Sequence, residues 1–346
     1  MNIKREGFSP QTLLLFALFT LAVLALCVAV GSVRIPLPEM IAFFARLFGS
    51  SAVRPDNGAF SSILAVRLPR VVCVALTGAA LSVCGGAMQG LLRNPLADGS
   101  TLGVSSGASL GAVIAIAFGI SIPGVPFAGT VIMAMLFAFV SLMLILTLAY
   151  RLDFSLSTNT IILVGVIYSM FVSSIIAFIT ILAADKVKQI TFWTMGSLSG
   201  SGLPDALALT VALVICGGVL ITHARELNAF AVGEDNARHI GVNVERVKLV
   251  MMITVSALIG VCVSIGGTIG FVGLVTPHMI RMISGPNHKR LLPACAFGGA
   301  SFLMLADLAA RVILNPLELP IGVVTSFTGA LLFIYIFYTS RRESHA

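Results

Sequence analysis

Between Gly99 and Tyr150 this chain runs for 52 residues without an Asp, Glu, Lys or Arg. A membrane span takes roughly 20 apolar residues, so the run is too long for one crossing. The segment SIPGVPFAG, with Pro123 and Pro126, divides it into two helices joined by a tight turn. In the same way Gly266 and Gly267 split the uncharged run from 249 to 280. Similar runs along the chain predict ten spans, at 12–32, 66–90, 102–120, 127–149, 156–183, 205–222, 247–265, 268–284, 291–312 and 321–340. With 58% apolar and 10% charged residues, the composition excludes a soluble globular enzyme, a disordered chain and a nucleic-acid binder. The predicted fold class is an all-α polytopic membrane protein, read as a single transmembrane domain over 1–346.

The first apolar run follows Lys4 and Arg5 like a signal sequence, but it has no Ala-x-Ala-like exit and is read as a retained span. Starting with the N-terminus inside, thirteen basic residues fall on the cytoplasmic side and eight outside, which favours both termini in the cytoplasm. The eight outer ones include Arg67, Arg70 and Arg311, so the outer face has its own use for positive charge. The six cysteines lie in apolar stretches without a CxxC pair and read as small packing residues. The five histidines are scattered, and no metal site is predicted.

Two loops are long enough to hold structure. The outer segment 33–64 contains PLPEMIAFFARLFG, whose apolar spacing predicts a short interfacial helix. The inner segment 223–246, HARELNAFAVGEDNARHIGVNVER, is predicted to form two short helices broken at Gly233 or Gly241. Offsetting the chain by 182 residues superposes Ala75 on Ala257, Gly78 on Gly260, Ser82 on Ser264, Gly85 on Gly267 and Pro95 on Pro277. Because the helices involved run in opposite directions, the expectation is an inverted repeat with halves at 66–183 and 247–340.

RLPR at Arg67 to Arg70, GAALSVCGGAMQGLLRNPLA ending at Ala97, LGVSSGA from Leu102 and WTMGSL from Trp193 resemble the permease subunit of type II ABC importers for iron-siderophores, haem and cobalamin. The match continues with LNAFAVGEDNARHIGV, GTIGFVGLVTPHMIR, GPNHKRLLP and LELPIGVVT, and runs from about residue 12 to 340. The resemblance implies a multi-pass protein of the bacterial inner membrane that pairs with a second copy of itself, two cytoplasmic ATPase subunits and an extracytoplasmic substrate-binding protein. The cargo it implies is a metal chelate, with a ferric siderophore as the leading expectation and haem or cobalamin as the alternative. The chain has no GxxxxGK[ST], so it is not itself an ATPase and needs no cofactor; ATP and Mg2+ belong to the partner ATPase. The sequence departs from the family at Asp98, Gly99 and Ser100, where a proline is usual after NPLA, and at Leu331.

The resemblance places Arg67, Arg70 and Arg311 on the outer face, where acidic groups of the binding protein dock on their planar guanidinium forks. The plainer reading is interfacial snorkelling, or for Arg311 a pair with Asp307 one turn earlier. Asp307, an ionisable group inside a span, reads as that pair, as a helix cap, or as a cargo or proton site. Glu318, between two prolines, is expected to order its turn through backbone N–H groups. The stretch Gly233, Glu234, Asp235, Ala237, Arg238, Gly241 is the predicted ATPase-coupling knob, compact enough to transmit rigid-body motion. Thr158, Thr160, Ser169, Ser173 and Ser174 are the predicted path wall. Gly78, Asn94, Pro95, Pro277, His278 and Arg281 are read as structural, the last two around an inner gate, with Gln89 either packed or facing the path. A proton- or sodium-coupled secondary transporter is the competing class, and it calls for mid-membrane carboxylates on broken helices.

Overall fold

The computed structural model describes residues 10–31, 35–36, 38, 58–122, 128–154 and 157–343. Long apolar runs fold as helices because lipid offers backbone N–H and C=O groups no partners, so each segment must satisfy its own. The elements in order are α1 (Pro10–Ala29), α2 (Gly58–Leu91), a 3-10 turn at Gly99–Leu102, α3 (Val104–Ala117), α4 (Ala128–Leu152) and α5 (Thr158–Leu182). A 3-10 turn at Ala184–Lys186 leads to α6 (Val187–Thr194) and α7 (Leu203–Thr222), the latter widened to π-helix at Leu213–Gly217. Then come α8 (Ala224–Val232), α9 (Glu234–His239), α10 (Val244–Gly266), α11 (Val272–Ser284), α12 (His288–Val312) and α13 (Ile321–Glu343).

Among the described residues, seven helices are long and apolar enough to cross a membrane: α1, α2, α4, α5, α7, α10 and α12. The predicted spans at 102–120, 268–284 and 321–340 coincide with shorter apolar or broken helices. One of them, α11, begins only at Val272, because Gly267 (φ 68°) and Phe271 (φ 66°) turn the chain between α10 and α11. Pro123 and Pro126 lie outside the described residues, as do Leu37 and most of the predicted interfacial helix. Residues 58–64, expected to belong to the outer loop, form the first turns of α2 instead.

The core lies around α2. It is buried for most of its length and packs on α10, α11 and α12, whereas α1, α4, α5 and α7 expose most of their apolar residues outward. Gly78 makes the α2–α12 approach possible: a Cβ there would stand 2.3 Å from the Gly299 carbonyl oxygen, and one on Gly299 would stand 2.3 Å from that of Gly78. This is close packing through small residues, the usual means of bringing helices together in lipid. Five of the six cysteines are buried and Cys216 is half-buried, all as free thiols. At the offset of 182 residues both segments are helical over 75–84 and 257–266; beyond that α2 continues to Leu91 while α10 ends at Gly266.

Candidate functional site

Three arginines and two carboxylates meet where α1 ends and α2 and α12 approach it. Arg70 donates from Nη2 and Nε to Asp307 Oδ1, at 2.8 and 3.1 Å, and from Nη1 to Glu318 Oε2 at 2.8 Å. Arg311 Nε lies 2.8 Å from Asp307 Oδ2 at an angle too bent for a hydrogen bond, so charge holds that contact. The i,i+4 pair read from the sequence is therefore present, and Asp307 is shared between two guanidinium groups. Glu318 spends its carboxylate on Arg70 rather than on its turn's backbone, which corrects the sequence expectation.

The remaining donors of this cluster close the end of α1. Arg67 Nη1 donates to the Val28 carbonyl at 2.9 Å, and Arg311 donates to those of Cys27 and Val30 at 3.2 and 3.4 Å. A helix C-terminus leaves its last carbonyls without intrahelical partners and carries partial negative charge, so guanidinium groups stabilise it twice over. Snorkelling does not describe these side chains: Arg67, Arg70 and Arg311 are 7, 8 and 3% exposed. Glu318 is the accessible member, its side chain 37% exposed.

At the far end of α2 the segment 223–246 folds as two helices broken at Gly233, whose φ of 134° suits glycine alone, and closed by a turn at Gly241 (φ 91°). Glu234 pairs with Lys248 of α10 at 2.8 Å, and the lysine is fully buried. Arg238 pairs with Glu245 at 3.3 Å on the exposed side. Asp235, Arg238 and His239 face outward beside the strongly exposed apolar residues Val232 and Ile240. Ala237 does not: it is fully buried, because a small apolar residue on this six-residue helix turns toward the core. It supports the knob and is unavailable as a contact, a correction to the sequence reading.

Near the same end, Gln89 of α2 is buried and bridges to α11, donating to the Leu274 carbonyl at 3.1 Å and accepting from Arg281 Nη2 at 3.1 Å. It is thus a packing residue. Asn94 accepts from Leu96 N at 2.9 Å, forming the turn with Pro95. Pro277 is buried inside α11, with His278 half-buried next to it. Along α5, Thr160 bonds Ser157 and Asp153 as part of the N-terminal cap, which removes it from the predicted wall. Ser173 and Ser174 lie exposed, whereas Thr158 and Ser169 are half-buried. Among the described residues no grouping of three or more His, Cys, Asp or Glu could hold a metal ion.

Sequence reasoning missed Asn228, Asn287, His288 and Lys248. The first three are joined by hydrogen bonds across about 60 positions, and Lys248 turns inward from α10 onto Glu234, which a count of basic residues by side does not reveal.

A family profile for the FecCD transport family matches residues 17–339. The chain belongs to the FecCD transport family. Within FecCD it is 41% identical over 316 residues to the uncharacterised ABC transporter permease YvrB of Bacillus subtilis, covering 91% of this chain and 90% of the relative. It is 35% identical over 338 residues to the hemin transport system permease HmuU of Yersinia pestis, covering 96 and 97%. Other FecCD relatives are named for cobalamin import and molybdate import. A solved chain of an ABC transporter assigned to the metal-chelate type, in an inward-facing conformation, superposes with a TM-score of 0.82 at 29% identity, covering 96% of this chain and all of that one. As a FecCD member the protein is a non-enzymatic, multi-pass permease subunit of the bacterial inner membrane. Membership also implies an importer complex with ATPase subunits and a substrate-binding protein.

Proposed function

We propose that this protein is the membrane path of a type II importer for a metal chelate, built as a homodimer with two ATPase subunits and one extracytoplasmic binding protein. Haem or a cobamide is favoured over the ferric siderophore expected from sequence, because relatives across most of the chain are named for hemin and cobalamin. In this reading the chain crosses ten times as an inverted repeat, with both termini cytoplasmic. Segment 223–246 faces the ATPase, the arginine cluster faces the binding protein, and the exposed face of α5 with Ser173 and Ser174 lines the path.

The observation that carries the reading is the anchoring of the knob. Gly233, Glu234, Asp235, Arg238 and Gly241 form a compact projection whose base is fixed by a buried ion pair to α10. A push delivered there reaches the spans instead of being absorbed by a loop. At the opposite end, Arg67, Arg70 and Arg311 gather in one cluster with Asp307 and Glu318, and in this reading acidic groups of a docking partner meet the guanidinium groups there.

The experiment is uptake into proteoliposomes holding the assembled complex, with hemin, cobalamin and a ferric siderophore supplied on the binding protein in parallel. ATP-dependent uptake of hemin or cobalamin is expected. Uptake of the siderophore alone would return the cargo to the first expectation. Uptake driven by a proton or sodium gradient without ATP would overturn the importer reading.

A further inference from the structure

Asn228 of α8 grips the first residues of α12. Its Oδ1 accepts from the His288 backbone N–H at 2.8 Å and lies 2.8 Å from His288 Nδ1, while its Nδ2 donates to Asn287 Oδ1 at 2.9 Å. Asn287 Oδ1 also accepts from Lys289 N at 3.0 Å, which caps α12. Each amide oxygen thus receives a backbone N–H, and that fixes the orientation of both amides. It fixes the imidazole too: Asn228 Oδ1 offers only lone pairs, so Nδ1 carries the proton of their bond. The other ring nitrogen, Nε2, is buried without a hydrogen-bond partner among the described residues and rests on α2 at Gly90, where a Cβ would stand 2.3 Å from it. One histidine therefore joins the predicted coupling segment, the start of α12 and the last turn of α2.

Beyond this joint α2 and α12 are tied twice more. Gly78 and Gly299 leave no room for a Cβ between the two backbones, and Arg70 holds Asp307 with two hydrogen bonds. α12 is 25 residues long, about 37 Å at 1.5 Å per residue. Close-packed interiors yield little to small displacements, so two helices fastened at Gly90–His288, Gly78–Gly299 and Arg70–Asp307 move as one strut over that length.

We propose that Asn228 and His288 are positioning residues through which the coupling segment drives this strut, so that ATPase state is transmitted to the arginine cluster and docking at that cluster is transmitted back. The proposal rests on the importer reading above. Linkage makes the effect reciprocal: if nucleotide changes affinity for the binding protein, the binding protein changes affinity for nucleotide by the same factor.

The test uses the complete complex in proteoliposomes, normalised to the amount assembled, with two readouts. One is the ratio of ATPase activity with and without saturating binding protein. The other is the change in binding-protein affinity on adding a non-hydrolysable ATP analogue. N228A and H288A should each reduce the stimulation ratio and the affinity shift at least about fivefold, the lower end of typical allosteric couplings. H288N keeps a donor where Nδ1 stood, so it should retain most of the coupling; N228D keeps the acceptor for His288 but sets a carboxylate oxygen against Asn287 Oδ1, so it should retain only part. A role confined to folding would lower assembly and melting temperature while leaving ratio and shift intact in the complexes that form, and that result would overturn the proposal. Should N228A fail to assemble, the H288A and H288N pair decides it: equal coupling in both is fatal. If the unmodified complex shows neither stimulation nor transport, the importer reading fails first; a stimulated wild type with equally stimulated variants rejects only the joint.

Discussion

Lys248 and Glu234 stand 2.8 Å apart with the ammonium fully buried and the carboxylate side chain 28% exposed. The two ends of this ion pair are therefore not equivalent. Replacing Glu234 with Gln takes the opposing charge away from a fully buried ammonium, whereas replacing Lys248 with Met leaves a carboxylate that water can reach. E234Q should cost about 2 kcal/mol of stability, below the usual range for a broken buried pair because Glu234 is partly solvated. K248M should cost under about 1 kcal/mol. Denaturant unfolding of both variants in the same detergent checks the order, and the reverse order would show that the lysine is not held by this pair.

Glu318 competes with any incoming acidic group for Arg70 Nη1. E318Q should free one guanidinium edge while Asp307 keeps the other, and should tighten capture of the binding protein by up to about fivefold, the upper range of a single exposed ion pair. Titration of binding protein onto the complex in lipid discs gives the number. Weaker capture by E318Q would mean that Glu318 is itself a contact. Charge reversal at Arg70 is the poorer experiment, because it sets an acid against Asp307 and Glu318 and attacks the fold.

Gly78 and Gly218 predict opposite outcomes for the same chemical change. A methyl group on Gly78 runs into the Gly299 carbonyl, while one on Gly218, at ordinary helical angles, meets nothing within 4 Å among the described residues. G78A should destabilise by about 3 kcal/mol, the upper range of overpacking costs. G218A should stabilise by about 0.5–1 kcal/mol through helix propensity. Thermal unfolding followed by circular dichroism separates them; a neutral G78A would mean that α2 and α12 can move apart.

Cross-linking can map the knob's contact surface. Ile240 is 72% exposed and Ala237 fully buried, although they lie three residues apart. I240C should form a disulfide or a short maleimide link to the ATPase subunit in at least one nucleotide state, and A237C should form none. Modification of A237C together with a silent I240C would place the contact on a different face of the segment.

Residues 102–120 illustrate what is legible in sequence: the absence of charge and the prolines after them predict an apolar helix, and α3 occupies Val104–Ala117. Lys248 illustrates the limit. Counting basic residues by side treats every lysine as solvated, but helical register turns this one inward onto Glu234. Asp307 and Arg311 could be paired from their spacing of four on one helix, whereas Arg70 reaches Asp307 across 237 positions and leaves no local trace. The Asn228 contact was invisible for the same reason, since a lone asparagine in a polar loop reads as solvent-facing. Ala237 was misplaced because a short polar segment suggests a fully wetted knob, when even a helix of six residues needs one side to rest on.

The end of α1 bears on how the chain is made. Its last carbonyls are closed by Arg67 and Arg311, and Cys27 and Thr20 reach Met304 and Phe297 on α12. A ribosome delivers α1 and α2 long before α12, so Arg67 can close the Val28 carbonyl early while those of Cys27 and Val30 wait for Arg311. Chains halted before His288 would carry an α1 only half closed and without its α12 neighbour, a mark for membrane proteases that synthesis of α12 would remove.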